Sequence, residues 1–261
     1  MIRWLAVAAL GLSMLGLGTP TGAAAAPAAD CPGHPDALGT SRVLEVDAGT
    51  TPRVGRKQFP GTLPLAPHEV VLTFDDGPWP GTTSRILDAL AGECVKATFF
   101  VIGQNAVAHP ALLRREVAEG HSVGTHTWSH PLLSTLPIAA AWSEIDRGIA
   151  AVDGVLSTAG SASAGRLFRF PGFAATPALL ERLHARGVTV FGADLWASDW
   201  NRMTPESELR LVLDRLERTG GGIVLLHDTK LQTAAMLPSL LRELKVRNYR
   251  IVSVVPKPPD R

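Results

Sequence analysis

The sequence predicts an α/β fold in which parallel strands are each connected to the next by a helix. From Val70 onward, about seven β-rich apolar segments alternate with segments of helical periodicity. The strand segments are apolar almost throughout, which is typical of strands buried on both faces of a parallel sheet. A (β/α) barrel and a doubly wound sheet both fit this pattern. In either fold, functional groups lie beyond the carboxyl ends of the strands.

The individual elements are predicted from apolar runs, helical periodicity and stop signals. The predicted strands are 42–46, 70–74, 95–101, 121–124, 167–170, 188–193, 222–226 and 249–254, and the predicted helices are 83–90, 110–119, 138–156, 177–185, 205–218 and 234–245. Gly120 and Gly187 end two of these helices. Thr204 is the predicted N-cap of a helix whose first residue is Pro205.

The first residues have the pattern of a secretory signal peptide. Arg3 precedes an apolar run over 4–17 and a small, Ala-rich stretch over 19–29. This pattern predicts a signal peptide and cleavage region at 1–29, with cleavage within 24–29. The apolar run is short for a membrane span, so we expect no transmembrane anchor after signal removal. The predicted location is secreted, or periplasmic and cell-envelope.

Two further regions follow the signal peptide. Residues 30–65 are rich in Pro, Gly and Thr and are predicted to be an N-terminal extension that packs on the domain. Residues 66–256 are predicted to be the main α/β domain, and a monomer is expected. Cys31 and Cys94 are the two cysteines of the chain. In an oxidising compartment they either form a disulfide or remain two thiols.

The charge of the chain excludes one class of partner. The formal net charge is +1 and the pI about 7.9, and the basic residues are scattered apart from those in Arg53-Val54-Gly55-Arg56-Lys57. Proteins that bind nucleic acid carry a basic patch or stripe, so no nucleic acid partner is expected. The overall charge balance favours an uncharged substrate.

The first candidate functional groups are two adjacent carboxylates at the end of strand 70–74. Asp75 and Asp76 precede Gly77-Pro78, which stops the strand. Consecutive strand residues point to opposite sides, so the two carboxylates converge only if the chain curls there, and Gly77 permits such a curl. The alternative is that Asp-Gly-Pro forms an ordinary turn.

Two histidines follow the strand predicted at 121–124. His126 and His130 are four residues apart, so they face the same way on a helical turn, as in many metal sites. With Asp76 they form a candidate three-ligand set for one divalent metal ion, with a position left open for water. Zn²⁺ is the expected ion, Co²⁺ or Ni²⁺ could substitute, and non-haem iron uses the same ligand types. His121 lies on the strand and is predicted to pack in the core.

Further strand ends carry groups suited to proton transfer. Asp75 is placed to accept a proton from a metal-activated water, and Arg169 would keep Asp75 ionised by lowering its pKa. An Asp beside His227 would raise the pKa of the imidazole, and Asp199 is the candidate, so that His227 could donate a proton to a leaving amine. The alternatives are a surface arginine at Arg169 and a helix cap at His227.

Together these groups favour the hydrolysis of an acyl group. A metal centre, a base and an acid at neighbouring strand ends are the parts that such a reaction requires. An iron oxygenase needs no general acid on a separate strand end. A phosphoesterase is disfavoured because no cluster of Lys or Arg converges on a phosphate.

Five segments that carry these groups resemble, in order, the motifs of the polysaccharide deacetylase (NodB-homology) family. They are Thr73-Phe74-Asp75-Asp76-Gly77, His126-Thr127-Trp128-Ser129-His130, Arg169-Phe170-Pro171, Asp199-Trp200 and Leu225-Leu226-His227. The resemblance implies a distorted (β/α) barrel with about seven parallel strands. It also implies a hydrolase acting on carbon–nitrogen bonds other than peptide bonds. Such an enzyme removes acetyl groups from N-acetylated, or sometimes O-acetylated, glycans such as peptidoglycan or chitin-like oligomers.

The resemblance further implies a role for each motif residue. The implied metal ligands are Asp76, His126 and His130, the implied base is Asp75 with Arg169 steadying it, the implied acid is His227 with Asp199 as its partner, and the implied walls of the acetyl pocket are Trp200 and Leu225.

Two positions depart from the pattern of the family. Gly172 stands where the family usually has Tyr, although its backbone N–H could still face the oxyanion. Trp196 stands where an Asp often precedes the fourth motif. The change at Gly172 leaves a second hypothesis open, a glycan-binding relative that has lost catalysis. That hypothesis also relies on three tryptophans expected to be exposed, which are Trp79, Trp128 and Trp200.

Overall fold

This computed structural model describes residue 1, residue 31, residues 34–157 and residues 165–257. These described residues include ten strands and seven α-helices. The strands are β1 (Arg42–Val46), β2 (Arg53–Val54), β3 (Glu69–Asp75), β4 (Thr98–Val101), β5 (Ser122–Thr125), β6 (Leu167–Phe168), β7 (Thr189–Phe191), β8 (Leu195–Trp196), β9 (Gly222–His227) and β10 (Arg250–Pro256). The helices are α1 (Thr83–Gly92), α2 (Gly103–Ala108), α3 (Pro110–Ala118), α4 (Ile138–Ser157), α5 (Pro177–Ala185), α6 (Pro205–Thr219) and α7 (Leu231–Val246), and two 3₁₀ turns cover Leu133–Thr135 and Pro171–Phe173.

All described strand pairs are parallel, and seven strands form a distorted barrel. On one side of β3 the strands β4, β5, β6 and β7 follow in this order. On its other side β3 pairs with β9, and β9 pairs with β8. Among the described residues no ladder joins β7 to β8, so the barrel is open at that point. β10 joins the sheet at the start of β3 and carries β1 on its other side. The α/β fold with about seven parallel barrel strands is therefore confirmed.

Strand β3 shows how the sequence directs side chains to the site. Val70, Leu72 and Phe74 belong to the outer core that lies beneath the helices. Val71 belongs to a second core on the other face of the strand. Because strand residues alternate with a period of two, Asp75 points to the same side as Val71, into the barrel. All seven residues of the strand are buried.

Residues 53–61, which we call the N-terminal arm, cover the opening between β7 and β8. The arm begins as β2, which pairs in parallel with β7. The backbone N–H of Lys57 then donates to the carbonyl of Ala193 at 2.8 Å, and that of Arg56 donates to Asp194 Oδ1 at 2.9 Å. Ala193 and Asp194 lie between β7 and β8. The predicted N-terminal extension 30–65 thus includes residues that complete the sheet, and the bounds of the three predicted regions stay predictions.

The predicted helices agree with the structure to within a few residues, with one omission. Thr204 is confirmed as the N-cap of α6, since its side chain accepts a hydrogen bond from the Ser207 N–H. Helix α2 was not predicted. Its six residues include only two buried ones, Gly103 and Ala106, so it has no apolar stripe that periodicity could detect.

A disulfide between Cys31 and Cys94 settles the alternative that the sequence left open. The two residues are 63 positions apart, and their Cα atoms are 5.8 Å apart. None of the helices in the described ranges is long and apolar enough to cross a membrane. The signal peptide predicted at 1–29 lies, apart from Met1, outside the described residues.

Candidate metal centre and active site

The site residues predicted from the sequence lie at or just beyond the carboxyl ends of the barrel strands. Asp75 ends β3 and His227 ends β9, while His126 follows β5 and Arg169 follows β6. These strand ends surround a cavity of about 480 Å³, which is lined by Asp75, Asp76, His126, His130, Phe170, Gly172, Phe173, Trp196, Trp200, Leu225, His227 and Lys230. Arg169 and Asp199 are buried and contact this lining from behind.

Asp76, His126 and His130 form the candidate metal centre. One potential ligand atom from each residue lies within 4.8 Å of the other two. Asp76 Oδ1 is 3.3 Å from His130 Nε2 and 3.6 Å from His126 Nε2. This oxygen is buried and has no hydrogen-bond partner among the described residues. A buried oxygen without a partner beside two imidazole nitrogens fits a cation, so these residues could hold a metal ion.

The protonation state of His126 suits a metal ligand. Its Nδ1 lies 2.7 Å from the backbone carbonyl of Arg169, so Nδ1 carries the hydrogen and donates it, and the lone pair of Nε2 faces Asp76. Burial lowers the pKa of His126 to about 3 and outweighs the opposing charge of Asp76. His126 is therefore neutral near pH 7, as metal binding requires.

The turn that carries the two histidines is not helical, so the expectation of a helical turn is wrong. Thr127 and His130 adopt left-handed backbone conformations, with φ of 67° and 66°. Such values are uncommon for residues other than glycine and cost free energy. The imidazole centroids of His126 and His130 are nevertheless 4.9 Å apart. The left-handed backbone conformations in this turn, rather than helical spacing, bring the two side chains together.

Helix α4 holds this turn in place. The Trp128 N–H donates to the backbone carbonyl of Glu144, and the Ser129 N–H donates to the Glu144 carboxylate, both at 2.9 Å. Gly148 packs so closely that a Cβ at this position would lie 2.6 Å from the Thr127 carbonyl carbon. The absence of a side chain at Gly148 therefore allows α4 to approach the backbone between the two histidines.

The curl after β3 occurs at Asp76, and Gly77 serves a different purpose. Asp76 itself is left-handed, with φ of 78°, and its carbonyl accepts a hydrogen bond from Asn105 Nδ2 at 2.7 Å. A Cβ at Gly77 would collide with the buried carboxylate of Asp228. That carboxylate accepts a 2.6 Å hydrogen bond from Thr83 Oγ1, and burial raises the pKa of Asp228 to about 7.

Asp75 and Arg169 form a buried ion pair. Arg169 Nη1 donates to Asp75 Oδ1 at 2.7 Å and to Thr73 Oγ1 at 2.8 Å. Burial raises the pKa of Asp75, and the charges of Arg169 and His227 reverse this only in part, so the pKa lies above its ordinary value. The sequence predicted a lowered pKa. Arg169 does act in that direction, but the net pKa is raised because the loss of hydration outweighs the attraction of the guanidinium.

His227 and Asp199 form the second buried pair. His227 Nδ1 lies 2.7 Å from Asp199 Oδ1, and Asp199 Oδ2 accepts from the His227 N–H at 2.7 Å and from Thr233 Oγ1 at 2.8 Å. Burial lowers the pKa of His227, but the hydrogen bond and charge of Asp199, together with Asp75 and Asp76, outweigh it and raise the pKa to about 9. The direction is the one expected from the sequence.

The walls of the cavity include Gly172 and Trp196, the two positions that depart from the family pattern. Gly172 is left-handed, with φ of 57°, and a Cβ there would lie 2.8 Å from Leu132 Cδ2. Leu132 therefore occupies the space into which a side chain at position 172 would point. Trp200 is 50% exposed and lies edge-on to His227, while Leu225 is buried.

The tryptophans expected to be exposed differ from one another. Trp79 is 48% exposed and Trp200 is 50% exposed. Trp128 is partly buried, and Arg147 stacks on its ring with Cζ 4.5 Å from the ring centroid, so this expectation is wrong for Trp128.

Four cavity-lining residues had no site role in the predictions from the sequence, and these are Phe170, Phe173, Trp196 and Lys230. Each lies within four positions of a predicted site residue. Phe173 follows Arg169, Trp196 precedes Asp199 and Lys230 follows His227. Short chain distance from a motif would therefore have been a usable signal.

Comparison with known proteins identifies the family. The protein-family model named "Polysaccharide deacetylase" matches residues 63–191 of this chain. The chain is 34% identical over 188 residues to the peptidoglycan-N-acetylglucosamine deacetylase PgdA of Listeria monocytogenes, an alignment that covers 71% of this chain and 38% of the relative. It is 36% identical over 161 residues to a chitooligosaccharide deacetylase of Rhizobium leguminosarum, which covers 62% of this chain and 72% of the relative.

A solved structure gives the same result. The peptidoglycan deacetylase Bd3279 of Bdellovibrio bacteriovorus superposes with a TM-score of 0.73 and 34% sequence identity, over 83% of this chain and 59% of that one. The chain thus spans less than two thirds of the length of the Listeria and Bdellovibrio proteins. The match to the family model, the identities and the superposition agree, and the chain belongs to the polysaccharide deacetylase family.

Proposed function

We propose that this protein is a secreted, metal-dependent hydrolase that removes acetyl groups from N-acetylated glycans. The observation that carries the proposal is that the candidate metal centre and two buried Asp-containing ion pairs surround one cavity. The named activities of the relatives point to peptidoglycan or chitin-like oligomers as substrates. The disulfide between Cys31 and Cys94 supports a location outside the cytoplasm.

The metal ligands in this proposal are Asp76, His126 and His130. Zn²⁺, or Co²⁺ or Ni²⁺, would supply Lewis-acid chemistry there when bound. The chain itself supplies the base. Arg169 Nη1 donates a hydrogen bond to Asp75 Oδ1. The other carboxylate oxygen, Oδ2, is therefore the one that takes a proton from the attacking water. A buried carboxyl with a raised pKa is a better base near neutral pH than an exposed one.

The acid in this proposal is His227. Asp199 holds its Nδ1 proton, so Nε2 is the atom that donates a proton to the amine as the C–N bond breaks. Water supplies the new C–O bond, and the products are acetate and a free amine. Gly172, Trp200 and Leu225 line the cavity; in this proposal the Gly172 N–H would stabilise the oxyanion, and Trp200 and Leu225 would confine the acetyl group.

The test is acetate release from peptidoglycan and from N-acetylated chito-oligomers, with metal content measured on the same sample. Asp75→Asn should slow turnover ~10²–10⁴-fold while the metal remains bound. Asp214→Asn changes an exposed carboxylate on α6 and serves as the matched control. Near-native turnover by the Asp75 variant would contradict the assigned base.

The competing hypothesis is a glycan-binding relative without catalysis. The missing ring at Gly172 and the exposed rings of Trp79 and Trp200 favour it. The same assay separates the two hypotheses, because the relative without catalysis would bind glycan in the presence of metal and release no acetate.

A further inference from the structure

The N-terminal arm brings a cation to the rim of the cavity. Lys57 Nζ lies 4.9 Å from the centroid of the Trp196 ring, and Trp196 lines the cavity. Lys57 is exposed, and in the part of the chain that the structure describes no carboxylate lies within ion-pair distance of it. An ammonium group that no protein carboxylate neutralises is available to an anionic ligand.

The arm is fixed to the barrel at Lys57 and at the residue that follows it. The Lys57 N–H donates to Ala193 O at 2.8 Å, and the next side chain, Gln58, donates from Nε2 to Phe173 O at 2.9 Å. Phe173 is itself a cavity residue. The match to the family model begins at residue 63, after the arm. Lys57 therefore belongs to a part of the cavity rim that this match does not cover.

A row of aromatic rings leads from Lys57 to the proposed acid. Phe173 stacks on Trp196 with centroids 6.2 Å apart, Trp196 meets Trp200 edge-on at 5.9 Å, and Trp200 meets His227 edge-on at 6.0 Å. Aromatic rings with one apolar face and one wet edge are suited to amphipathic ligands such as sugars. A glycan chain that binds along these rings with its acetamide at His227 would extend towards Lys57.

We propose that Lys57 is a specificity-determining residue that binds a carboxylate on an acidic N-acetylated glycan. The carboxylate belongs to another sugar of the same glycan chain, as an ether-linked acid or a uronic acid. Lys230, which lines the cavity three residues after His227, adds a second positive charge to the cavity. This inference rests on the proposed function. It also replaces the expectation of an uncharged substrate, which was based on net charge, with one based on the charges at the site.

The experiment uses the full chain and two substrates. One is an N-acetylated oligosaccharide that carries carboxylates, and the other is the same oligosaccharide with its carboxylates converted to methyl esters. Lys57→Gln should lower kcat/KM for the acidic substrate about fivefold, through KM, and leave the ester unchanged. Lys57→Arg should keep the preference. Lys245→Gln removes an exposed lysine at the distant end of α7 and should behave as the wild type.

The possible outcomes are distinct. A preference for the acidic substrate that disappears in Lys57→Gln and at high salt supports the inference. Acetate release from both substrates with no dependence on Lys57, or an equal loss on both, overturns the inference and leaves the proposed function standing. No acetate from either substrate with the wild type overturns the proposed function, and the inference with it.

Discussion

Replacing Asp199 with Asn tests the proposed proton donor directly. Asn keeps the shape of Asp199, and its amide oxygen can still accept the hydrogen bond from His227 Nδ1, while the negative charge and the hydrogen bond from the His227 N–H to Oδ2 are lost. In the wild type the pKa of His227 is raised from 6.5 to about 9, although burial acts in the opposite direction. A cation bound at Asp76 cancels the charge of that carboxylate, so Asp199 is the main persistent cause of the rise. We therefore expect a pKa of 6.5 or lower in the variant.

The magnitude follows from these two values. A group with a pKa of about 9 is protonated up to alkaline pH. At pH 8.5 roughly three quarters of such a group is protonated, against about one hundredth of a group with a pKa of 6.5. The variant should therefore lose roughly 75-fold in turnover at pH 8.5, or about 2.5 kcal/mol. At pH 6 both forms are mostly protonated, so the loss from this cause should be less than about twofold.

The assay is a profile of kcat for acetate release from pH 5.5 to pH 9.5. Asp194→Asn is the matched control, because Asp194 is also a buried Asp but bonds Arg56 N, Thr62 Oγ1 and Ile223 N rather than His227. The control should change the height of the profile and leave its alkaline limb in place. An alkaline limb that stays in place in Asp199→Asn would refute the assignment of His227 as the acid.

Three further predictions concern the metal turn, acid stability and the buried ion pair. Gly148→Ala should weaken zinc binding about fivefold or more in calorimetry, because overpacking costs ~1–3 kcal/mol. Gly154→Ala, where a Cβ meets nothing within 4 Å, should bind as the wild type, and equal affinities of the two variants would contradict the role of Gly148. Burial lowers the pKa of His121 to about 3. The unfolded chain therefore binds the extra proton as pH falls below the ordinary value of 6.5, and the folded state loses roughly 2 kcal/mol by pH 5. Urea unfolding at pH 7 and pH 5 should show that His121→Asn loses roughly 2 kcal/mol less than the wild type, because His126, whose pKa is also lowered to about 3, contributes the same loss to both proteins. Equal losses in the two proteins would refute the prediction. Arg169→Met leaves Asp75 buried without its partner and should lower the free energy of unfolding by ~3–5 kcal/mol; a loss below ~1 kcal/mol would show that the pair behaves like a surface ion pair.

The parts of the fold that depend on local signals could be predicted from the sequence. The cap at Thr204 needs only a hydroxyl and an adjacent proline, and both act within one turn of helix. The direction of Asp75 follows from the period of two along β3. The order of strands and helices placed the candidate residues at one end of the barrel, which is a property of parallel sheets.

The parts that depend on contacts between distant segments could not be predicted in this way. The turn at Thr127 is left-handed because α4 packs against it, and the sequence of the turn alone suggested a helix. Gly77 looked like the source of the curl, but the residue that it must accommodate is Asp228, far away in the chain. The pKa of Asp75 depends on how completely the barrel excludes water, which no motif records.

The attachment of the N-terminal arm has a consequence for how new specificities could arise. The peptide chain continues from the arm into β3, and the disulfide from Cys31 ties the segment before the arm to Cys94. A loop that is anchored at both ends can exchange its outward side chains while its path is preserved. Swapping a few arm residues should therefore retune glycan choice without disturbing the groups that move protons, much as hypervariable loops are exchanged on an antibody framework.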